Sequence, residues 1–390
     1  SKVSNPMLCL LLSSIVALLP TPLKASDSVM SSLSRRSALL GASAAATATI
    51  SLPLTAQAAA AASELYSPAP GSLKGTTVMI TGANTGLGLE SAKRLASAGA
   101  KIVVAARSQA KADVAVAEIM AFTNAGSAVG VEVDLANLAS VKSLPGRLEA
   151  VIGSGGAIDV LLNNAGVMAV PERLLTADGF EKTVGINHLG HFALVAALLP
   201  YLERSKSGFR IVNVSSDAHR FVDRKAMVQA LETSLDPPDY AAGGWGAYGV
   251  SKAANILFTV ELERRLLEKG VAGSAVTLHP GVVQTDLGRY IIGGVAAEDL
   301  HPTDVPPPTG VGAFLKENVL DRAILTVDKG ANTQIYLAAA ADTNGDRTKA
   351  GGLFYDKMRA VKPTDTSADP ELAQRLWRLS EELTGAKIAL

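Results

Sequence analysis

Short apolar runs alternate with longer amphipathic stretches from residue 76 onward. Four of the runs are predicted strands: 77–80, 101–106, a segment that ends with 133–135, and one that ends at Asn163. Short, mostly uncharged runs of this kind are typical of strands that are buried on both faces of a parallel sheet. Since crossover helices fit between them, the pattern predicts an α/β fold with one doubly wound parallel sheet and helices on both faces.

The C-terminal part of the chain adds a strand and a helix to this pattern. Residues 351–355 form the last predicted strand. The helix has Asp369 as its cap, Pro370 as its first residue and Gly385 after its end, which are the residue types that favour those positions. Its apolar face is made by Leu372, Leu376, Leu379 and Leu383. This amphipathic pattern predicts a helix that docks on the rest of the domain.

The first 63 residues differ in charge from the remainder of the chain. Residues 1–63 contain four basic residues and one acid, Asp27, which gives a local charge of +3 (4 − 1). The whole chain has 36 Lys and Arg and 36 Asp and Glu, so residues 64–390 carry −3 (0 − 3). We therefore expect a targeting leader over 1–63 and a single domain over 64–390.

Two apolar segments in this leader indicate export or organelle targeting. The first, 7–20, has the length of a signal-peptide core. Arg35 and Arg36 precede the second, the weakly hydrophobic and uncharged stretch 38–62, in the manner of a twin-arginine signal. Two signals in series favour a plastid protein that is sent on to the thylakoid. The alternatives are a bacterial export leader, or a membrane anchor formed by 38–62 and giving membrane association through the N-terminal segment.

The composition excludes several classes of function. A net charge of zero leaves no basic excess for a phosphate backbone, so we expect no nucleic-acid partner. One cysteine, Cys9, excludes an intramolecular disulfide framework and a multi-cysteine metal site. With 48% hydrophobic residues and 35 glycines, the chain has the composition of a folded, glycine-rich α/β protein.

A glycine-rich turn follows the first predicted strand and opens a predicted helix. Gly82, Gly86 and Gly88 have the spacing G-x-x-x-G-x-G, and the strand 101–106 comes after the helix. In a βαβ unit, such a turn lets backbone N–H groups approach a pyrophosphate at a helix N-terminus. The alternative is a turn that only packs the helix on the strand.

The residues after the next two strands predict which dinucleotide the turn binds. Arg107 follows the second strand and Lys111 lies four residues further. An acid there would bind the ribose 2′-hydroxyl, whereas an arginine accommodates a 2′-phosphate, so NADP(H) is favoured over NAD(H). Asp134 is placed to meet the adenine edge. The alternatives are a solvated surface arginine and an exposed acid at a strand end.

Five further motifs follow in a fixed order. They are NNAG at 163–166, INHLGHF at 186–192, IVNVSS at 211–216, YGVSKAAN at 248–255 and HPGVVQT at 279–285. Together they resemble the motifs of the short-chain dehydrogenase/reductase family. Their residues are most similar to those of its retinol-dehydrogenase-like branch. The resemblance covers about residues 74–385. It implies a Rossmann-type domain and an enzyme that interconverts a carbonyl group and its alcohol.

Tyr248 and Lys252 are the residues best placed for proton transfer. They are four apart on a predicted helix, so both side chains project from one face. A phenol with a pKa of about 10 is a poor acid–base catalyst at neutral pH. A nearby ammonium and the positive charge of a nicotinamide favour the phenolate and bring that pKa towards neutrality.

The resemblance implies further catalytic roles. Tyr248 would donate a proton to the substrate oxygen, and Ser216 would hydrogen-bond that oxygen. Ser216 is preferred to Ser215 because the catalytic serine of the family is usually the second of such a pair. Lys252 would bind the nicotinamide ribose, and Asn187 would hold a water molecule that relays protons to Lys252.

The same resemblance implies a cofactor site for NADP(H), in which Thr285 contacts the carboxamide. Its expected residues are Gly82, Asn84, Thr85, Gly86, Leu87, Gly88, Arg107, Lys111, Asp134, Leu135, Asn164, Ala165, Gly166, Tyr248, Lys252, Pro280, Gly281, Val283 and Thr285. His188 and His191 have a metal-like spacing, but no nearby cysteine or acid completes a ligand set, so we expect packing roles and no metal. His219 is assigned no role.

Two irregular segments predict the substrate class. The 31 residues between Ser216 and Tyr248 include the aromatic residues Tyr240 and Trp245, and the stretch after Thr285 includes Ile291 and Ile292. Beside a nucleotide site they indicate a small hydrophobic aldehyde, ketone or alcohol. Alternatively, these loops only cover the sheet edge. A homo-oligomer is a further expected partner.

Two other functions remain open from the sequence. One is a non-catalytic, NADPH-sensing subunit of a membrane complex. The other is an enzyme similar to protochlorophyllide reductase, which shares NHLGHF and the Y-x-x-x-K helix but carries a cysteine where this chain has Ala254. The complete set of Asn187, Ser216, Tyr248 and Lys252 argues against the first, and Ala254 argues against the second.

Overall fold

The computed structural model describes residues 65–236, 240, 244–283 and 325–390. The predicted leader, including its arginine pair and the stretch 38–62, lies outside the described residues. Thr285 and the irregular stretch that follows it lie outside them as well, as do 237–239 and 241–243 in the loop before Tyr248.

The described part of the domain is built on one eight-stranded sheet. Its strands are β1 (Thr77–Thr81), β2 (Lys101–Ala106), β3 (Ser127–Glu132), β4 (Val160–Asn163), β5 (Phe209–Val214), β6 (Gly273–His279), β7 (Phe354–Asp356) and β8 (Arg359–Val361). Their order across the sheet is β3-β2-β1-β4-β5-β6-β7-β8, and every pair is parallel except β7 with β8. The predicted doubly wound α/β fold is therefore confirmed.

Helices connect the parallel strands and cover the sheet. They are α1 (Gly86–Ser97), α2 (Gln109–Phe122), α3 (Leu138–Ile152), α4 (Lys182–Leu202), α5 (Arg224–Glu232), α6 (Trp245–Lys269), α7 (Val327–Gly330), α8 (Asn332–Ala338) and α9 (Pro370–Thr384). A 3₁₀ turn, Asp217–Phe221, lies between β5 and α5. Two apolar clusters form the core, and they use alternate residues of the central strands, such as Met79 in one and Ile80 in the other.

The strand order reverses beside β1. The chain runs outward from β1 through β2 to β3, and then returns to place β4 on the other side of β1. In a parallel sheet this reversal leaves a crevice at the carboxyl ends of the strands, because the connections on its two sides go to opposite faces. The topology thus predicts the location of the site before any side chain is considered.

The sheet ends in a hairpin that differs from the prediction. Residues 351–355 were expected to form the last strand, whereas β7 covers Phe354–Asp356 and an antiparallel β8 follows it. The two turn residues, Lys357 and Met358, both have positive φ, at 48° and 61°. Such turns normally contain Asn or Gly, so this one gives no sequence signal. Similarly, β3 ends at Glu132, just before residues 133–135, which were expected to be the end of that strand.

Helix α4 is a core helix. Among the described residues it is the one helix that is long and apolar enough to cross a membrane by length and composition. Most of it is buried inside the protein, where Phe192, Leu194 and Leu198 join the core between the sheet and α3. Packing therefore accounts for its apolar character.

Helix α9 has the boundaries that the sequence predicts. The Asp369 side chain accepts hydrogen bonds from the N–H groups of Glu371 and Leu372, and Gly385 ends the helix with φ 64°. Leu372 and Leu376 are buried, and they join an apolar cluster that contains Leu257 of α6. Helix α9 therefore covers the face of α6 that points away from the sheet.

Replacing Leu376 tests this contact. Leu376→Ala should lower the free energy of unfolding by about 2–5 kcal/mol, because it leaves a cavity between α9 and α6. Urea unfolding followed by circular dichroism measures the change. Glu382→Ala, at an exposed position of the same helix, is the control and should change stability little. Equal stability of the two variants would contradict the docking of α9.

Candidate active site

The glycine-rich turn lies at the carboxyl end of β1, where the crevice opens. Gly82 and Gly86 have φ of 65° and 53°, a region that glycine enters without strain. Gly88 has another role, because a Cβ there would lie 2.4 Å from the carbonyl oxygen of Gly82 and 2.7 Å from Nδ2 of Asn164. Gly88 thus allows α1 to approach the turn closely, while Gly82 and Gly86 shape the turn itself.

A cleft of about 860 Å³ occupies the carboxyl edge of the sheet. Most of the expected cofactor residues line it: Gly82, Asn84, Thr85, Gly86, Leu87, Arg107, Lys111, Asp134, Leu135, Asn164, Ala165 and Gly166. Gly88, Tyr248, Lys252, Pro280, Gly281 and Val283 are not among its lining residues, and Thr285 lies outside the described residues. The cleft therefore corresponds to the adenosine and phosphate half of the expected site.

The charged residues of the cleft favour an anion. Arg107, Lys111 and Lys182 line it, against one acid, Asp134. Oδ1 of Asp134 accepts the N–H of Ala136 at 3.0 Å, which fixes the loop after β3. Lys182 was not anticipated from the sequence, since only the fold brings it to the same cleft as Arg107 and Lys111. The residues present thus fit the phosphates of a dinucleotide in charge.

Tyr248 and Lys252 lie together on α6 at the centre of the domain. Each side chain is nearly inaccessible, and Nζ of Lys252 lies 5.6 Å from the centroid of the Tyr248 ring. Nζ also donates to the carbonyl of Val214 at 3.0 Å, at the end of β5. Burial raises the pKa of Tyr248 to about 12, while a hydrogen bond with Ser216 lowers it. Burial lowers the pKa of Lys252 to about 8.

The two serines after β5 have different partners. Oγ of Ser215 donates to the carbonyl of Lys252 at 2.7 Å and is buried. Ser216 is partly exposed, and its side chain hydrogen-bonds Tyr248 and accepts the N–H of Ala218 at 3.2 Å. The structure therefore brings Ser216, rather than Ser215, to the phenol.

Asn187 lies in a π-helical turn, Gly185–Leu189, within α4. Its Oδ1 accepts the N–H of Val167 at 2.9 Å, and its Nδ2 donates to Ser251 of α6 at 3.0 Å. A Cβ on Gly166 would lie 3.0 Å from Oδ1 of Asn187 and 3.7 Å from Nζ of Lys252. Asn187 and Lys252 thus approach the same glycine, and the water relay between them stays a prediction.

Thr81 is a residue of the site that the sequence did not single out. Its Oγ1 accepts the N–H groups of Asn164 at 2.9 Å and Ala165 at 3.0 Å, and it contacts Nε2 of His191 at 2.9 Å. Nδ1 of His191 in turn lies 3.1 Å from the carbonyl oxygen of Asn187. One threonine hydroxyl therefore joins β1, the end of β4 and α4. No short-range signal marks this network, because its members lie far apart in the sequence.

The expected residues after β6 lie at the same edge of the sheet. Gly281 has φ 89°, and its N–H donates to Nδ1 of His279 at 3.1 Å. Val283 forms an isolated bridge with Leu325. Pro280 directly follows His279, the last residue of β6.

His188 and His191 are both fully buried in α4. Nε2 of His188 lies 2.8 Å from Oγ of Ser380, so the first histidine contacts α9, whereas the second contacts Thr81. Burial lowers the pKa of His188 to about 3 and that of His191 to about 4, so both rings are neutral. In the described segments, no group of three or more His, Cys, Asp or Glu side chains is placed to hold a metal ion.

Comparison with known proteins agrees with this geometry. Residues 76–227 match a family model described as short chain dehydrogenase. The chain is 34% identical to human retinol dehydrogenase 13, over 82% of this chain and 87% of that protein. It is 36% identical to human retinol dehydrogenase 12, with 81% and 88% covered.

Solved structures give the same result for the fold. An uncharacterized protein from Mycobacterium paratuberculosis is 32% identical, with a TM-score of 0.58 over 84% of this chain and 98% of that one. The 3-ketoacyl-(acyl-carrier-protein) reductase from Brucella melitensis, complexed with NADH, is 23% identical with a TM-score of 0.50, over 73% and 96%. Since relatives more than 30% identical match over most of both chains, this chain belongs to the short-chain dehydrogenase/reductase family, in its retinol-dehydrogenase-like branch, and is an oxidoreductase that acts on CH–OH or carbonyl groups with a nicotinamide cofactor.

Proposed function

We propose that the protein interconverts a hydrophobic aldehyde or ketone and its alcohol with NADP(H), using Tyr248 as the acid–base group. The observation that carries this proposal is the hydrogen bond between Ser216 and Tyr248, with the Lys252 ammonium beside the same phenol. An acid, a donor to the substrate oxygen and a cation that favours phenolate are what carbonyl reduction requires.

The reaction divides between the cofactor and the protein. The nicotinamide, when bound, gives a hydride to the carbonyl carbon or takes one from the alcohol carbon. In reduction, Tyr248 gives its phenolic proton to the substrate oxygen, and Ser216 hydrogen-bonds the charge that develops there. Lys252 stabilises the phenolate that remains, because its ammonium is close to the ring and both groups are shielded from water. In oxidation the phenolate takes the proton back.

The cations of the cleft support NADP(H) over NAD(H). Arg107 and Lys111 lie beyond the end of β2, where the ribose of a dinucleotide is expected. Asp134 lies beyond β3 instead. Two cations at this end of the cleft favour an additional phosphate, which an acid would repel.

Exposed apolar side chains support a hydrophobic substrate. Phe221, in the turn that follows Ser216, is 56% exposed, and Val282, directly after Gly281, is 54% exposed. Both follow residues of the expected site, where they offer apolar surface to a ligand. The relatives named retinol dehydrogenase point to the same class, a long apolar chain that ends in an aldehyde or alcohol.

The similarities favour neither alternative function, the NADPH-sensing subunit or the protochlorophyllide reductase-like enzyme. The plastid location, a membrane association through the N-terminal segment and a homo-oligomer are proposals that rest on the sequence.

A substrate panel tests the function directly. The full chain is mixed with NADPH or NADH and with retinal, long-chain aldehydes or small ketones, and the loss of reduced-cofactor absorbance is followed. We expect turnover of the apolar carbonyls with NADPH. Tight NADPH binding without turnover of any carbonyl would instead support the sensing subunit.

Tyr248→Phe should abolish turnover, because phenylalanine has no proton to give. NADPH affinity should stay within a few-fold of the wild-type value, since the ring and Lys252 remain. Steady-state rates and cofactor fluorescence titration measure the two quantities. Tyr336→Phe, which removes a phenol on α8, is the matched control. Turnover retained by Tyr248→Phe would refute the assignment.

Ser216→Ala should move the pH profile of alcohol oxidation to higher pH. The Ser216 hydrogen bond lowers the pKa of Tyr248, so its loss raises that pKa and leaves less phenolate at any given pH. Oxidation needs the phenolate and reduction needs the phenol, so the shift should appear in oxidation. An unchanged midpoint, measured with NADP⁺ in excess, would contradict this effect.

Arg107→Ala should weaken the preference for NADPH. We expect the KM for NADPH to rise about tenfold, while that for NADH changes little, because only NADPH loses a charged contact. Arg378→Ala, at an exposed position on α9, controls for the loss of one positive charge. Equal effects of Arg107→Ala on both cofactors would contradict a role for Arg107 in 2′-phosphate binding.

A further inference from the structure

His219 lies in the 3₁₀ turn that follows Ser216, and the mechanism above does not use it. Its side chain is fully buried, although histidine is seldom buried without a polar partner. Nδ1 lies 2.7 Å from the carbonyl oxygen of Ser216. Since a carbonyl only accepts, Nδ1 must carry the ring proton.

The carbonyl of Ser216 therefore receives two hydrogen bonds from one residue. The backbone N–H of His219 donates to it at 3.1 Å, as in any 3₁₀ turn, and the ring adds the shorter bond. Nε2 of His219 is buried and has no hydrogen-bond partner within the described part of the chain. In the Nδ1–H tautomer this nitrogen is only an acceptor, so the ring leaves no proton donor unsatisfied.

The ring is held in place from the sheet. Phe354, a buried residue of β7, packs edge-to-face with the His219 ring at 5.1 Å between centroids. The ring of His279 lies 6.5 Å from the same Phe354, on which it stacks nearly parallel. Burial lowers the pKa of His219, so the ring stays neutral. The donor thus has a fixed position and a fixed protonation state.

We propose that His219 is a positioning residue, whose Nδ1–H fixes the peptide of Ser216 and thereby holds the Ser216 hydroxyl against Tyr248. The backbone of Ser216 is extended, with φ −158° and ψ 156°, and its Oγ also accepts the N–H of Ala218. The orientation of the Ser216 hydroxyl therefore depends on the peptide plane of Ser216, which the His219 ring holds through the carbonyl oxygen. The kinetic effect of this contact rests on the proposed function, whereas the hydrogen bond from His219 to Ser216 does not.

A matched pair of variants separates the hydrogen bond from the packing. Asn and Leu have the same number of side-chain heavy atoms and leave similar space beside Phe354, but only Asn can place an N–H where Nδ1 lies. His219→Leu should lower kcat roughly ten- to a hundredfold, because a misplaced catalytic group costs about that much. His219→Asn should stay within a few-fold of the wild-type kcat.

NADPH affinity should be unchanged in both variants, because Ser216 contributes to the reacting end of the site and is not a residue of the dinucleotide cleft. The temperature of thermal unfolding should fall by the same amount in both variants, because both lose the ring. Equal kcat values for the Asn and Leu variants would overturn the proposal, since a residue with only a packing role would give that result.

The tautomer of His219 tests the contact without relying on turnover. A long-range ¹⁵N–¹H spectrum of the full chain, with the His219 signals assigned by their loss in His219→Asn, should show a neutral ring protonated at Nδ1 at neutral pH. A ring protonated at Nε2, or at both nitrogens, would overturn the proposal. If the wild-type protein showed no turnover, the proposed function would fail, while the tautomer would still decide whether His219 holds Ser216.

Discussion

The reversal of strand order beside β1 is the constraint on which the rest of the structure depends. It opens the carboxyl edge of the sheet between β1 and β4, and the hydroxyl of Thr81 joins the two strands at that edge. The π-helical turn that carries Asn187 is connected to the same hydroxyl through His191. One hydroxyl therefore supports both the edge of the cleft and the turn that carries Asn187, even though these come from distant parts of the chain.

Burial sets the electrostatics of Tyr248 and Lys252, the proposed reacting groups. It raises the pKa of Tyr248 and lowers that of Lys252, because a nonpolar surrounding disfavours the charged form of each. Once Tyr248 has lost its proton, the phenolate and the Lys252 ammonium beside it attract each other, which opposes this effect. The hydrogen bond from Ser216 acts in the same direction on the phenol. The proposed chemistry thus depends on a small number of polar contacts among buried residues.

Features with a local sequence signal were predictable, and features made by long-range contacts were not. The glycine turn, the Tyr248–Lys252 spacing and the cap at Asp369 each depend on a few neighbouring residues, so the sequence shows them directly. The bond from Thr81 to His191 joins residues 110 apart, and no periodicity reveals it. The β7–β8 hairpin was missed for another reason, because its turn uses Lys357 and Met358 in a conformation that usually indicates Asn or Gly.

The docking of α9 on α6 has a consequence for the order in which the protein is made. Helix α6 carries Tyr248 and Lys252, and its outer face is covered by Leu372 and Leu376, about a hundred residues later in the chain. A ribosome synthesises Leu372 and Leu376 after all eight strands of the sheet, as part of the helix α9 that covers α6. Until they emerge, the apolar face of α6 that contains Leu257 has no cover from α9. The proposed active site is thus completed late in translation, after the cleft at the carboxyl edge of the sheet.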